Sequence, residues 1–304
     1  MAERVSVIVN PAAGRGRGAR MIPQIRERFA EVGVTDILVT RQAGDEGPLA
    51  EQAIARGCTT LVVVGGDGTT THVGNAILKS GASTRLAVLP AGTGNDFAKT
   101  LGTDKTDVAT IARLSVEAGD ARIDVGKIED RFFLNCCGFG FDVAVLEGIE
   151  RTRWLRGNAV YLYTALRQLF DYDGIELRLG RTAGEWKRHM LLVIANTEYF
   201  GGMFRIAPGA SAADGMLDAV SILDVSHLRR IPLLAAATRG AHARRSECTI
   251  TRAASFEISF PVPPSYETDG ELHRAKTENL IVTSCPRALR VVTSDRELDT
   301  RRSS

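Results

Sequence analysis

The run TTLVVVGGDGTTTH at 59–72 begins as an unbroken apolar strand and closes in glycine, aspartate and threonine. A continuous apolar run of this length suits a strand buried on both faces of a parallel sheet, and the polar close suits the start of a helix. Working outward, VSVIVN (5–10), DILVT (36–40) and RLAVLPAG (85–92) repeat the apolar pattern. Between them, GARMIPQIRERFAEVG (18–33) and GPLAEQAIARG (47–57) are amphipathic, and each ends at a glycine able to stop a helix. Strand–helix alternation of this spacing predicts an α/β domain over 1–124. Its sheet should be open and mainly parallel, with ligands bound at the C-terminal ends of the strands.

After Asp124 the pattern changes. RFFLNCCGFGF (131–141), IELRLG (175–180), EWKRHMLLVIAN (185–196), MLDAVSIL (216–223), SECTITRA (246–253) and SFEISF (255–260) all read as strands. Two helical interludes are expected, at about 157–170 and 226–238. Many strands separated by turn signals predict a β-rich antiparallel sandwich domain over 125–286. TENLIVTSCPRALRVV (277–292) either closes that domain or returns to the first, and the segment 287–304 is expected to pack back on the first. The tail SDRELDTRRSS is polar and reads as frayed.

Composition narrows the function classes. With 304 residues, 44% of them hydrophobic and 24% charged, the chain has the profile of a folded, soluble protein with an ample core. The net charge of +2 excludes a general polyanion binder, so no nucleic-acid partner is expected. No stretch approaches the ~20 apolar residues needed to cross a bilayer, and MAERVSVIVNPAAG carries no secretory h-region. The five cysteines have no metal-ligand spacing, and Cys136 and Cys137 are adjacent, so a reduced, cytoplasmic chain is expected. His72, His189, His227, His242 and His273 show no ligand pairing and read as structural or surface residues; only His273 stands apart, two residues beyond Glu271.

Chemistry enters with the glycines. In VVVGGDGTTTH (62–72), Gly65, Gly66 and Gly68 let backbone N–H groups approach a phosphate, and the following helix N-terminus adds a favourable dipole. Asp67 in that loop could hold Mg²⁺ through water or orient an attacking group; a tight turn with an aspartate N-cap is the plainer alternative. LAVLPAGTGNDFAKTLG (86–102) repeats the arrangement, with Gly92-Thr93-Gly94-Asn95-Asp96 between strand and helix. Two acidic glycine loops on neighbouring strands point to a nucleotide–metal site. Neither matches G-x-x-x-x-G-K-[ST] nor the G-x-G-x-x-G dinucleotide spacing. NPAAGRGRG (10–18) reads as a further phosphate or adenosine contact.

In their order, NPAAG (10–14), GGDGT (65–69) and PAGTGNDFA (90–98) resemble the catalytic domain shared by diacylglycerol, sphingosine and ceramide kinases. NCCGFGFD (135–142), ANTEYFGGMFRIAPGASAADGMLD (195–218) and ETDGE (267–271) extend the resemblance over almost the whole chain, to the bacterial soluble branch. The resemblance implies an ATP- and Mg²⁺-dependent transfer of the γ-phosphate to a lipid hydroxyl. Diacylglycerol is the default acceptor and phosphatidic acid its product, with other lipid alcohols compatible. It implies ATP contacts from Asn10, Thr40, Gly65, Gly66, Asp67, Gly68, Thr69, Thr70, Thr71 and Thr93. It places Asp67, Asp96 and Asp124 in a water-linked acidic network around the catalytic Mg²⁺. Ser211, Asp214 and Met216 would form a separate metal site, Ser211 and Met216 through their carbonyls, and Glu271 would be the general base, with Asp67 its rival. A lipid partner at the membrane surface follows, and a homodimer is left open by analogy.

One departure stands out. Relatives commonly follow GGDGT with an apolar residue, then Asn or His, then Glu; here Thr70, Thr71 and His72 occupy those positions, and a charge beside the loop is gone. A kinase of a soluble small molecule, as in NAD kinases, and an inactive lipid-binding protein are the competing readings. For membrane contact, ERTRWLRG (150–157) and TRGAHARR (238–245) combine basic residues with apolar or aromatic ones, as an anionic interface would attract.

Overall fold

Apolar runs become buried strands in the computed structural model, which describes residues 4–117, 121–151, 158–180 and 184–293. The chain divides into two compact units. One comprises 1–125, 212–215 and 285–304; the other comprises 126–211 and 216–284.

The first unit runs β1 (Val5–Val9), α1 (Ala13–Glu31), β2 (Ile37–Val39), α2 (Glu46–Ala55), β3 (Thr60–Gly65), α3 (Asp67–Ser80), β4 (Arg85–Pro90), α4 (Asp96–Thr100) and α5 (Val108–Glu117). β1 lies parallel between β2 and β3, and β4 continues the sheet in parallel beside β3. Every residue of β1, β3 and β4 is buried, as expected of parallel strands covered on both faces, and the few polar ones, Ser6, Thr60 and Arg85, are hydrogen-bonded. Val7, Val9, Val62, Val64, Ala87 and Leu89 share one apolar cluster with Ile25 and Phe29 of α1 and Ile111 of α5. The amphipathic stretch read from residue 18 is helical to Glu31. Upstream, Gly14, Arg15 and Gly16 take left-handed conformations, so regular helix begins only after them.

In the second unit the order is β6 (Arg131–Phe133), β7 (Cys136–Gly140), α6 (Phe141–Arg151), α7 (Asn158–Asp171), β8 (Ile175–Leu179), β9 (Lys187–Ala195), β10 (Tyr199–Phe200), β11 (Phe204–Arg205), β12 (Leu217–Leu223), α8 (His227–Ala237), β13 (Cys248–Ala253), β14 (Ser255–Ser259), β15 (Ser265–Thr268) and β16 (Glu271–Arg274). β9 is its axis, pairing antiparallel with β7, β8 and β12. Successive side chains of a strand point to opposite faces, and β9 follows the rule. Leu192 and Ile194 join a cluster with Phe139, Phe256 and Tyr266, while Leu191, Val193 and Ala195 join another with Leu169 and Leu233 of the helices. The fold is therefore a parallel α/β part followed by an antiparallel, β-rich part, as the sequence pattern predicts.

Two strands cross the division. β5 (Ala121–Ile128) leaves the first unit, and β17 (Asn279–Val291) returns to it. The early residues of β17 pair antiparallel with β14, and its last two, Arg290 and Val291, pair parallel with Arg85 and Leu86 of β4.

Candidate active site

In the first unit three loops leave the C-terminal ends of β1, β3 and β4 and meet closely. A Cβ on Gly92 would lie 2.5 Å from the Cα of Gly66, and one on Gly14 would lie 2.0 Å from the carbonyl oxygen of Ala91. Only glycine allows backbones this near. The Gly65 carbonyl accepts from Ala91 N–H at 2.8 Å and Gly92 N–H at 3.1 Å, which ties the second loop to the third. Asn95, itself left-handed, closes the third loop, accepting from Gly92 N–H and donating to its carbonyl, both at 3.0 Å. α3 starts directly at Asp67 with Gly66 as an N-cap that has no side chain to offer. The first-turn N–H groups therefore lack the usual side-chain acceptor, and the helix dipole favours an anion there. A Cβ on Gly68 would meet nothing within 4 Å, so the turn opens outward at that point. The cradle fits a polyphosphate.

Asp67 is half-buried, and its carboxyl is pushed above the usual carboxylate range by burial and by the charge of Asp96. The amides of Phe97, Asp96 and Asn95 pull the other way, that of Phe97 from 3.3 Å. Asp96 is buried and held by the Lys99 ammonium at 2.7 Å. A carboxylate disfavoured by a like charge is what a divalent cation relieves, and hydrated Mg²⁺ needs only one or two such groups. Among the described residues, no three acids, histidines or cysteines gather to hold a metal directly.

Asp124 is fully buried, and both carboxylate oxygens accept backbone N–H groups, from Gly215 at 2.6 Å and Arg287 at 2.7 Å. Its own N–H donates to Ala212 at 2.7 Å. The three distant segments of the first unit are thus knotted at this one residue. Asn10 donates to Thr69 and to Glu46, Thr40 is buried at the end of β2, Thr70 and Thr71 are buried in α3, and Thr93 is exposed. Asp214, exposed, belongs to the first unit, and Ser211 and Met216 to the second.

Glu271 opens β16 in the second unit, after a two-residue turn in which Asp269 and Gly270 both have positive φ, 49° and 90°. That is the geometry an Asp-Gly hairpin favours. The Asp269 carboxylate accepts N–H groups from Leu134, Asn135 and Cys136 at 2.8–3.1 Å, and Glu267 accepts from Gly270 N–H at 2.7 Å. Behind the turn, Glu267 is fully buried and its carboxyl is raised by burial and by Asp142. Asp142 is itself raised to about 7 by burial. Both face Gly138, whose Cβ would collide with an oxygen of each. Sequence reading missed Glu46, Asp142, Glu267 and the clamp role of Asp269. Asn10 is remote from Glu46, Asp142 from Glu267, and residues 134–136 from Asp269, and only the Asp-Gly pair left a local signal.

Residues 4–128 match the diacylglycerol kinase catalytic domain family, and residues 135–293 match the YegS C-terminal NAD kinase beta sandwich-like domain. A diacylglycerol kinase of Mycobacterium tuberculosis is 29% identical over 267 residues, covering 85% of each chain. A Pseudomonas aeruginosa protein, named a probable lipid kinase, YegS-like, is 34% identical over 219 residues, 71% of this chain and 70% of its own. The crystal structure of a diacylglycerol kinase from Bacillus anthracis shares the fold, with a TM-score of 0.73 at 21% identity over 96% of this chain and 97% of that one.

Proposed function

For a chain that belongs to the diacylglycerol kinase catalytic-domain family, with the C-terminal domain of its YegS-like lipid kinases, we propose that the activity is transfer of the γ-phosphate of ATP to a lipid hydroxyl, with diacylglycerol as acceptor. The observation that carries this reading is the glycine cradle at the N-terminus of α3, with Asp67 destabilised as an anion beside Asp96. Phosphoryl transfer asks the protein for in-line positioning and charge neutralisation more than for covalent chemistry. The loops after β1, β3 and β4 would hold the nucleotide. Mg²⁺, bound through Asp67 and Asp96 with its waters, would neutralise phosphate charge. Glu271 would take the hydroxyl proton, a contribution of typically ~10²–10⁴-fold for a positioned base.

Contact with a lipid interface belongs to the same proposal. Tyr163, Leu166 and Phe170 of α7 and Leu228 and Ile231 of α8 are exposed, Leu228 by 78%, and the Phe170 and His227 rings lie 6.3 Å apart. An apolar stripe of this kind suits an acyl boundary. Arg239, Arg244 and Arg245 are exposed basic residues; the side chains of the basic segment 150–157 lie outside those described. Among the described residues, no helix is long and apolar enough to cross a membrane.

The test is transfer of radiolabelled γ-phosphate from ATP to a panel of lipids in mixed micelles with Mg²⁺. Label in diacylglycerol, lost in Asp67→Ala and Glu271→Ala, is the expected result. Label in no lipid from a folded, ATP-binding protein overturns the reading.

A further inference from the structure

Glu46 is an acid almost without exposure, at 4%, yet it lies beside the nucleotide loop and has no part in the reading above. It is the first residue of α2, where a carboxylate is favoured by the helix dipole. Oε2 accepts Gly44 N–H at 2.9 Å and lies 3.7 Å from Nδ1 of His72. Oε1 accepts from Nδ2 of Asn10 at 3.1 Å, and the same Nδ2 donates to Oγ1 of Thr69 at 3.0 Å. The other end of the Asn10 amide is also spoken for, since Oδ1 accepts Ala12 N–H at 3.0 Å.

A carboxylate can only accept hydrogen bonds, so Glu46 obliges Asn10 to present its NH₂ group. Asn10 then donates to Thr69, and the hydroxyl oxygen of Thr69 is used as an acceptor. Serving Asn10 as an acceptor, the Thr69 hydroxyl keeps its single proton to donate elsewhere. Glu46 also approaches His72 of α3 from its place on α2. Resting on the kinase reading, we propose that Glu46 is a positioning residue of the nucleotide loop. Through Asn10 it sets Thr69 as a hydrogen-bond donor to a phosphate oxygen of ATP.

The experiment is titration of a fluorescent ATP analogue with the full chain, with thermal unfolding measured alongside. Glu46→Ala is expected to weaken binding about tenfold, the value of one charge-assisted hydrogen bond. The double variant Glu46→Ala/His72→Glu, which offers a carboxylate from α3 beside the vacated one, is expected to bind within about threefold of wild type, about 0.65 kcal/mol. A Glu46→Ala that binds as wild type overturns the inference, and so does a double variant no tighter than Glu46→Ala. If Glu46→Ala does not fold, Glu46→Gln takes its place, and wild-type affinity in that variant overturns the inference equally. Gln can offer either end of its amide, so the expected result there is an intermediate loss. Wild-type protein that binds no ATP overturns the kinase reading and this inference together, whereas a binding wild type with indifferent variants overturns the inference alone.

Discussion

Asp142 and Asp269 show how much a single carboxylate can do away from the chemistry. Burial raises Asp142 from 3.8 to about 7, so the folded chain keeps a proton that the unfolded chain releases. The stabilisation is complete below pH 3.8 and is lost as the pH climbs through about 7. Glu267, raised alongside it, adds to the same fall, so Asp142→Asn, a neutral isostere, is expected to make it shallower without abolishing it in urea unfolding measured from pH 4 to 8; an unaltered slope would refute the assignment. Asp269 holds three backbone N–H groups. Its loss in Asp269→Ala should cost about 3 kcal/mol or more, since each abandoned donor carries its own desolvation penalty; a loss under about 1 kcal/mol in urea unfolding would mean water replaces the carboxylate. Of the residues around the loops, Asp67 and Asp96 are legible in the sequence because glycine flanks announce them. Glu46 is not, because Asp-Glu-Gly-Pro reads as a turn and its partner Asn10 lies 36 residues away.

Between elements, the closeness of two loops makes glycines unequal. A Cβ at Gly92 would press on the backbone of Gly66, whereas one at Gly68 would meet open space inside a helix. Gly92→Ala is expected to lose about 1–3 kcal/mol of stability. Gly68→Ala should be neutral or up to about 1 kcal/mol stabilising, while weakening ATP binding if phosphate lies against that turn. Thermal melts with parallel nucleotide titrations separate the two, and equal destabilisation would contradict the geometry. The strands β1, β3 and β4 were legible because burial on both faces leaves an unbroken apolar signature. The helix α6 was not: the pattern read strand through Phe141, but the structure turns there into α6. Gly140, at φ 111°, is where the strand stops, and FDVAV alternates like a strand while serving as a helix face. The hairpin of β15 and β16 was visible only as its Asp-Gly turn.

Taken whole, the molecule shows an apolar stripe and a chain that visits its first unit three times. Replacing Leu166, Phe170 and Leu228 with serine is expected to reduce sedimentation with anionic vesicles several-fold, at about 25 cal/mol per Å² of apolar surface removed from the interface, without altering ATP binding. Unchanged sedimentation would assign the stripe another occupant. The change from alternating to strand-rich pattern near residue 124 was readable because the hydrophobic period itself changes. The excursion at 212–215 was not, since nothing local marks it. The knot at Asp124, with β17 as a neighbour of β4, has a consequence for biosynthesis. On the ribosome, residues 1–125 emerge first but lack their outer strand and their clamp until residues 285–292 have left the exit tunnel. The nascent β4 edge therefore waits, unpaired on that side, through the synthesis of the entire second unit, the period in which a chaperone or a neighbouring nascent chain can reach it.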